Sequence, residues 1–294
     1  MSATAAAVAR ERARSGPESG RIGRGVSILG VWLLLAALAL STLYPVVFLT
    51  LTSFRTDSDY LRSPIGLPKA WTLDNISHAY SGSEIGHYAL NSFIAVSIAV
   101  LLLTVVTCLA GFAFTQFEFP LRRAIFVVVV GMMALPPSVL MIPIFKVILD
   151  LNLLNKRTGL VLVYTSLNLP FSIYLMSSYM RSLPSELIHA ARVDGAGTLR
   201  ILWSIVLPLV RPGLLTLVTL NFLILWNELL FSLLIMQDEQ GRTIMVGIAQ
   251  AQGQYQTHVG VIAGGLLLSM IPPLLIFALF QRDLARGLTA GALK

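Results

Sequence analysis

Six long apolar runs govern what this chain can become. They fall near residues 26–51, 89–115, 124–149, 159–179, 213–236 and 259–281. Each is long enough to cross a hydrocarbon core of about 30 Å as a helix, which takes roughly 20 residues. Lipid offers the backbone no hydrogen-bond partners, so a crossing segment must close its own bonds. The expected fold is an all-α polytopic membrane protein of six transmembrane helices. Composition agrees, with 56% hydrophobic and 12% charged residues, whereas a soluble domain carries roughly 25% charge.

Basic residues orient the spans, because loops facing the cytoplasm carry the excess of arginine and lysine. One side collects Arg10, Arg12, Arg14, Arg21 and Arg24, then Arg122 and Arg123, then Arg181, Arg192, Arg200 and Arg211, then Arg282, Arg286 and Lys294. The other side has only Arg55, Arg62, Lys69, Lys146, Lys156, Arg157 and Arg242, matched by acids such as Asp57, Asp59, Asp74 and Glu84. Both termini and the loop 181–213 are therefore expected in the cytoplasm of a multi-pass cell-membrane protein. The net charge of +7 reflects this bias rather than nucleic-acid binding. The chain divides into a disordered N-tail (1–25), a six-helix domain (26–281) and a C-terminal tail (282–294). Ala37-Leu38-Ala39 is not read as a leader cleavage site, since the apolar run continues to Leu51 and a leader core spans about 7–15 residues.

Several chemistries are missing. Cys108 is the single cysteine and lies in an apolar run, which excludes disulfides and thiolate metal sites. His78, His87, His189 and His258 show no helix-face ligand spacing, so no metal site is expected. No lysine sits in a phosphate-binding loop, and no nucleophile, base and acid cluster together. The chain is expected to be neither an enzyme nor its own ATPase, with energy coming from a partner or an ion gradient.

The loop 181–213 is polar and helix-forming between apolar spans. Ser182 is expected to cap a helix with Pro184 in its first turn, running to Val193. Asp194-Gly195 stops it, glycine supplying a left-handed residue. Ser185, His189 and Arg192 share one face, Leu187 and Ala191 another, and Ala190 and Ala191 are small enough for close approach. Thr198 is expected to cap a second helix ended by Pro208, with Pro212-Gly213 turning into the fifth span. Such a loop either rests on the lipid surface or docks a partner outside the membrane.

Polar residues also enter the fifth span. Glu228 lies near mid-membrane, where an ionisable group is costly and faces a partner or a water path. Asn221 is seven residues earlier on the same face. Asn221, Trp226, Asn227 and Glu228 either line a solute path, with Trp226 stacking on a sugar ring, or bond neighbouring helices. Pro136-Pro137 with Pro143 should kink the third span, and Pro272-Pro273 the sixth. Gly260 and Gly264 have the spacing for close helix contact.

The stretch Glu186-Leu187-Ile188-His189-Ala190-Ala191-Arg192-Val193-Asp194-Gly195-Ala196, followed by Leu207-Pro208 and Pro212-Gly213, resembles the EAA loop of ABC-importer permeases, within them the carbohydrate-uptake, maltose-transporter type. Three further stretches are similar: Pro68 to Asn75, Trp226-Asn227-Glu228, and Gln281-Arg282 with Arg286 to Lys294. The resemblance covers nearly all of the chain after residue 26.

The resemblance implies a type I importer permease fold in which the 181–195 helix is a coupling helix seated in a cytoplasmic ATPase subunit. Glu186, His189, Ala190, Ala191, Arg192, Asp194 and Gly195 would form the ATPase-coupling set. It implies a second permease subunit, two ATPase subunits and an extracytoplasmic sugar-binding protein facing the loop 237–258. This chain would hold no cofactor, ATP and magnesium being bound by the ATPases. One position departs from the motif: His189 stands where glutamate is usual. Either Glu186 or Arg192 then carries the polar contact, or the histidine makes it pH-sensitive near neutrality. The alternatives are an ABC permease for a non-sugar solute and a proton-coupled secondary transporter using Glu228.

Overall fold

The computed structural model describes residues 18–82, 84–254 and 258–292. Among the described residues no strand forms, and one isolated bridge joins Arg55 to Trp71. Four helices are long and apolar enough to cross a bilayer singly: Gly30–Ser53, Ile85–Gln116, Arg157–Arg181 and Val259–Leu284. Two bent pairs, Arg122–Ala134 with Pro137–Asp150 and Thr198–Leu209 with Arg211–Trp226, bring the number to six if each is one span. The six apolar runs read from the sequence all form helix, the fifth (213–236) as Arg211–Trp226 followed by the short helix Leu230–Ile235, with Thr198–Leu209 lying before it.

The breaks are sharper than the expected kinks. The third span turns through 99° at Leu135-Pro136, where both residues are extended (ψ 120° and 130°). A residue before proline is driven out of the helical region, and proline gives no N–H to the preceding turn. Pro143 sits in the first turn of the Met141–Asp150 helix and does not interrupt it. Pro272 and Pro273 lie inside the continuous helix Val259–Ala292, so no break forms at the pair.

Two boundaries also move. The first helix starts at Glu18, so residues 18–25 continue it rather than belonging to a disordered tail; residues 1–17 lie outside the described residues. At the other end, helix runs on to Ala292, through most of the segment assigned to a C-terminal tail.

Two apolar clusters sit at opposite ends of the bundle, threaded by the 32-residue helix Ile85–Gln116. Its first half packs Ala95, Val96 and Ala99 against Tyr164, Phe222, Trp226 and Phe231. Its last turns bring Cys108 and Phe112 against Met176, Met180, Ile188 and Leu202, which form the lower cluster. Cys108 is a buried apolar filler, as its setting in the sequence suggested. The first helix packs against the last one but leaves most of its surface open: Trp32 and Leu40 are 67% and 70% exposed, and its apolar window has no residue buried within the chain.

The segment after the first helix is tied down by buried polar groups. Arg55, 2% exposed, donates to the carbonyls of Pro64 and Gly66 and lies 3.7 Å from Asp59. The Asn75 side chain donates to the carbonyls of Ser53 and Arg55. Gly260 and Gly264 pass directly over Asn75, where a Cβ on Gly264 would stand 3.1 Å from the Asn75 carbonyl. The close contact expected of this glycine pair is therefore made, against the Asp74–Ser77 helix. At the same end, Asp57 lies 2.6 Å from the His258 ring.

Candidate functional site

The loop helix Ser185–Val193 follows directly on the fourth span. Ile188 and Ala191, 3% and 7% exposed, seat it on the lower apolar cluster. They are three residues apart and share a face. The outward side carries Glu186, Leu187, His189, Ala190 and Val193, all exposed, Val193 at 87%. The Arg192 guanidinium reaches back towards the Gln116 carbonyl, 3.5 Å away, tying the loop helix to the end of the second span.

Its C-terminus is a complete glycine stop. Gly195 has φ +77°. The Ala196 N–H donates to the Ala191 carbonyl at 2.9 Å and the Gly195 N–H to the Arg192 carbonyl at 3.1 Å. These are the six-to-one and five-to-two bonds of a Schellman motif, which satisfy carbonyls that the last turn would leave open. Ala196 then packs partly buried on the cluster that holds Ala191. The Asp194-Gly195 stop is thus where the sequence put it.

Other local expectations need correction. Ser182 does not cap this helix; it closes the preceding one, its hydroxyl donating to the Tyr179 carbonyl at 2.7 Å. Pro184 occupies the capping position rather than the first turn. Leu187 and Ala191 do not share an environment, since Leu187 is 44% exposed. Thr198 is the first residue of its helix, with Gly197 before it and no side-chain cap. That helix continues past Pro208 to Leu209. The turn into the fifth span lies at Val210, with Pro212 inside the new helix. Gly213 serves instead to admit the Tyr179 ring, which a Cβ would meet at 2.5 Å. The anchoring role of Ile188 was missed. The Ile188–Ala191 spacing could have revealed it, but Leu187–Ala191 fits a helical face equally well.

The fifth span is broken at the polar motif. One helix ends at Trp226 and a short one runs Leu230–Ile235. Glu228, half-buried, accepts the Phe231 N–H on Oε1 at 2.8 Å and the Ser232 N–H on Oε2 at 3.0 Å. Its carboxylate therefore satisfies the open donors at a helix N-terminus, where negative charge is also favoured by the helix dipole. The Tyr164 hydroxyl faces the same carboxylate. Asn227 is exposed and donates to the Leu223 carbonyl.

Asn221 and Trp226 follow the second of their two readings. Asn221 is fully buried and donates to Ser172 Oγ and the Leu217 carbonyl. Trp226, 2% exposed, stacks on Phe222 and donates from Nε1 to the Ser269 carbonyl at 3.0 Å. An indole enclosed in this way offers no face to a sugar ring.

Comparison with known proteins identifies the family. Residues 104–289 match the family described as binding-protein-dependent transport system inner membrane component. The chain belongs to this family of transport permeases. It is 32% identical over 252 residues to the diacetylchitobiose uptake system permease protein NgcG of Streptomyces coelicolor, covering 85% of this chain and 83% of that one. It is 34% identical over 260 residues to the trehalose/maltose transport system permease protein MalG of Thermococcus litoralis, covering 87% and 93%. The fold is similar to a chain in the crystal structure of a bacterial ABC transporter involved in the import of the acidic polysaccharide alginate. The TM-score there is 0.79 at 22% identity, with 89% of this permease and 97% of that chain covered. The type I importer fold and the transport role expected from the sequence both stand. Transport that depends on a binding protein sets aside a self-sufficient proton-driven carrier.

Proposed function

We propose that this permease is one of a pair forming the pathway of an ATP-driven importer for a sugar or sugar derivative. The relatives named above, and the melibiose/raffinose/stachyose import permease protein MelC of Bacillus subtilis, 30% identical over 275 residues, support a carbohydrate. Two cytoplasmic ATPase subunits bind ATP and magnesium, and an extracytoplasmic binding protein delivers the solute near the loop 237–258. Both termini lie in the cytoplasm, as the arginine distribution indicates.

The single observation that carries the coupling role is the build of Ser185–Val193. It is fixed to the bundle by Ile188 and Ala191 and closed by the Gly195 stop, while a mixed apolar and polar face stays exposed. A rigid helix with an open face can transmit motion, because its inner side moves with the spans. Leu187, Ala190 and Val193 supply the apolar part of the ATPase contact, and Glu186 and His189 the polar part, while Arg192 braces the helix from behind.

Affinity isolation of the tagged chain in mild detergent tests this reading. A second permease and an ATPase should co-purify in comparable amounts. The isolated complex should hydrolyse ATP faster when a sugar-loaded binding protein is added. A chain that purifies alone and drives uptake without ATP would overturn the proposal.

A further inference from the structure

The second half of the loop, Thr198–Leu209, is not used by the coupling reading. It meets the fifth-span helix Arg211–Trp226 at 80°. A helix set nearly at right angles to a membrane-crossing one, and joined to its first residue, runs along the membrane surface. Its inner side, Ile201, Leu202, Val206 and Leu207, is buried in the lower cluster. Its outer side keeps large apolar groups uncovered, with Leu199 at 63%, Trp203 at 57% and Leu209 at 48% exposure. Leu199 and Trp203 are four residues apart and so share one helix face.

The charges beside this face are of one sign. Arg200 and Arg211 are exposed, and no acidic residue occurs between Asp194 and Glu228. An indole has an apolar body and a polar N–H, which suits it to the layer between headgroups and acyl chains. Arginines at that depth meet lipid phosphates, and an amphipathic helix binds through buried apolar area together with this attraction. Water alone would leave Leu199 and Trp203 without apolar cover.

We propose that Thr198–Leu209 is an interfacial anchor for an anionic lipid surface. Leu199 and Trp203 enter the boundary of the acyl region, and Arg200 and Arg211 contact phosphates above it. The anchor holds one end of the loop at fixed depth, so that movement of Ser185–Val193 is transmitted to the fifth span rather than lost in a sliding loop. The inference rests on the membrane reading of the fold and not on which solute is carried.

The assembled transporter is reconstituted in phosphatidylcholine–phosphatidylglycerol vesicles whose acyl chains carry bromine close to the headgroup. Bromine quenches nearby indoles. Trp32, Trp71 and Trp226 are common to the wild type and Trp203→Phe, so the difference in emission isolates Trp203. This difference should fall in shallow-brominated vesicles, fall less with bromine at the chain ends, and stay the same whether or not the ATPase is present. Leu199→Trp placed on the Trp203→Phe background should restore the quenched signal. Emission differences equal in brominated and plain vesicles would overturn the anchor. Quenching that appears only when the ATPase is left out would also overturn it, assigning the face to that partner.

Discussion

Glu228 holds the backbone N–H of Ser232 at 3.0 Å, across a break in the fifth span. An intramembrane carboxylate in a transporter invites a reading as an ion or solute contact. Here both of its oxygens are committed to the start of the next helix. Glu228→Ala should therefore act first on stability. Loss of a capping side chain costs about 1 kcal/mol, up to ~2. Thermal unfolding of the detergent-solubilised complex should show a lowered midpoint, with Glu228→Gln intermediate because its amide retains a single acceptor oxygen. An unchanged midpoint with lost uptake would point back to a path role.

Trp226 gives a matching test. Trp226→Phe keeps the stack on Phe222 but leaves the buried Ser269 carbonyl without its donor, a change worth about 1–3 kcal/mol. Trp226→Ala opens a cavity and should cost ~3–5 kcal/mol. In Trp226→Phe the half-saturating sugar concentration for uptake should match wild type, because the indole faces helices. A large shift in that concentration at normal stability would contradict the geometry.

The Gly195 stop should be needed for coupling. A β-branched residue at φ +77° is strained, at roughly 1–2 kcal/mol for the left-handed region. Relieving the strain tilts or unwinds the end of Ser185–Val193. Gly195→Val should hydrolyse ATP while sugar uptake into vesicles falls away. Uptake at the wild-type rate would sink the coupling assignment.

The two sides of the loop helix should separate by mutation. Ile188→Ala removes a buried anchor, at about 2–5 kcal/mol, and should lower the unfolding midpoint. Val193→Asp alters a residue that is 87% exposed, so stability should stay within ~0.5 kcal/mol. The ATPase recovered with the Val193→Asp permease should nevertheless drop. Equal recovery from wild type and variant would show that the open face is not the docking face.

Much of this architecture was legible in sequence because long apolar runs permit few alternatives. The spans were placed within a few residues except at the start of the first helix, the end of the last and the break after Trp226, and Gly195 was found because a left-handed stop has a recognisable residue type. What escaped were features set by packing. Pro136-Pro137 signalled a bend, but a 99° turn depends on what the two halves rest against. Pro272-Pro273 carries the same local signal and leaves a continuous helix, since neighbouring helices can support the freed carbonyls. Trp226 and Asn221 occupy plausible path positions until the enclosing Phe222, Ser269 and Ser172 are seen. Ser182 and Thr198 failed as caps for a related reason: Pro184 and Gly197 hold the capping positions before the two helices, with backbones that already turn the chain.

The broken third span has a consequence for how the permease sits in lipid. Arg122–Ala134 covers only about 20 Å at ~1.5 Å per residue, so neither half crosses a bilayer alone. Backbone freed at such a break is tolerated against protein or water, not against acyl chains. This part of the molecule is therefore ill-suited to a solitary existence in lipid. Surrounded by acyl chains on every side, the break would leave carbonyls at depth without a hydrogen-bond partner.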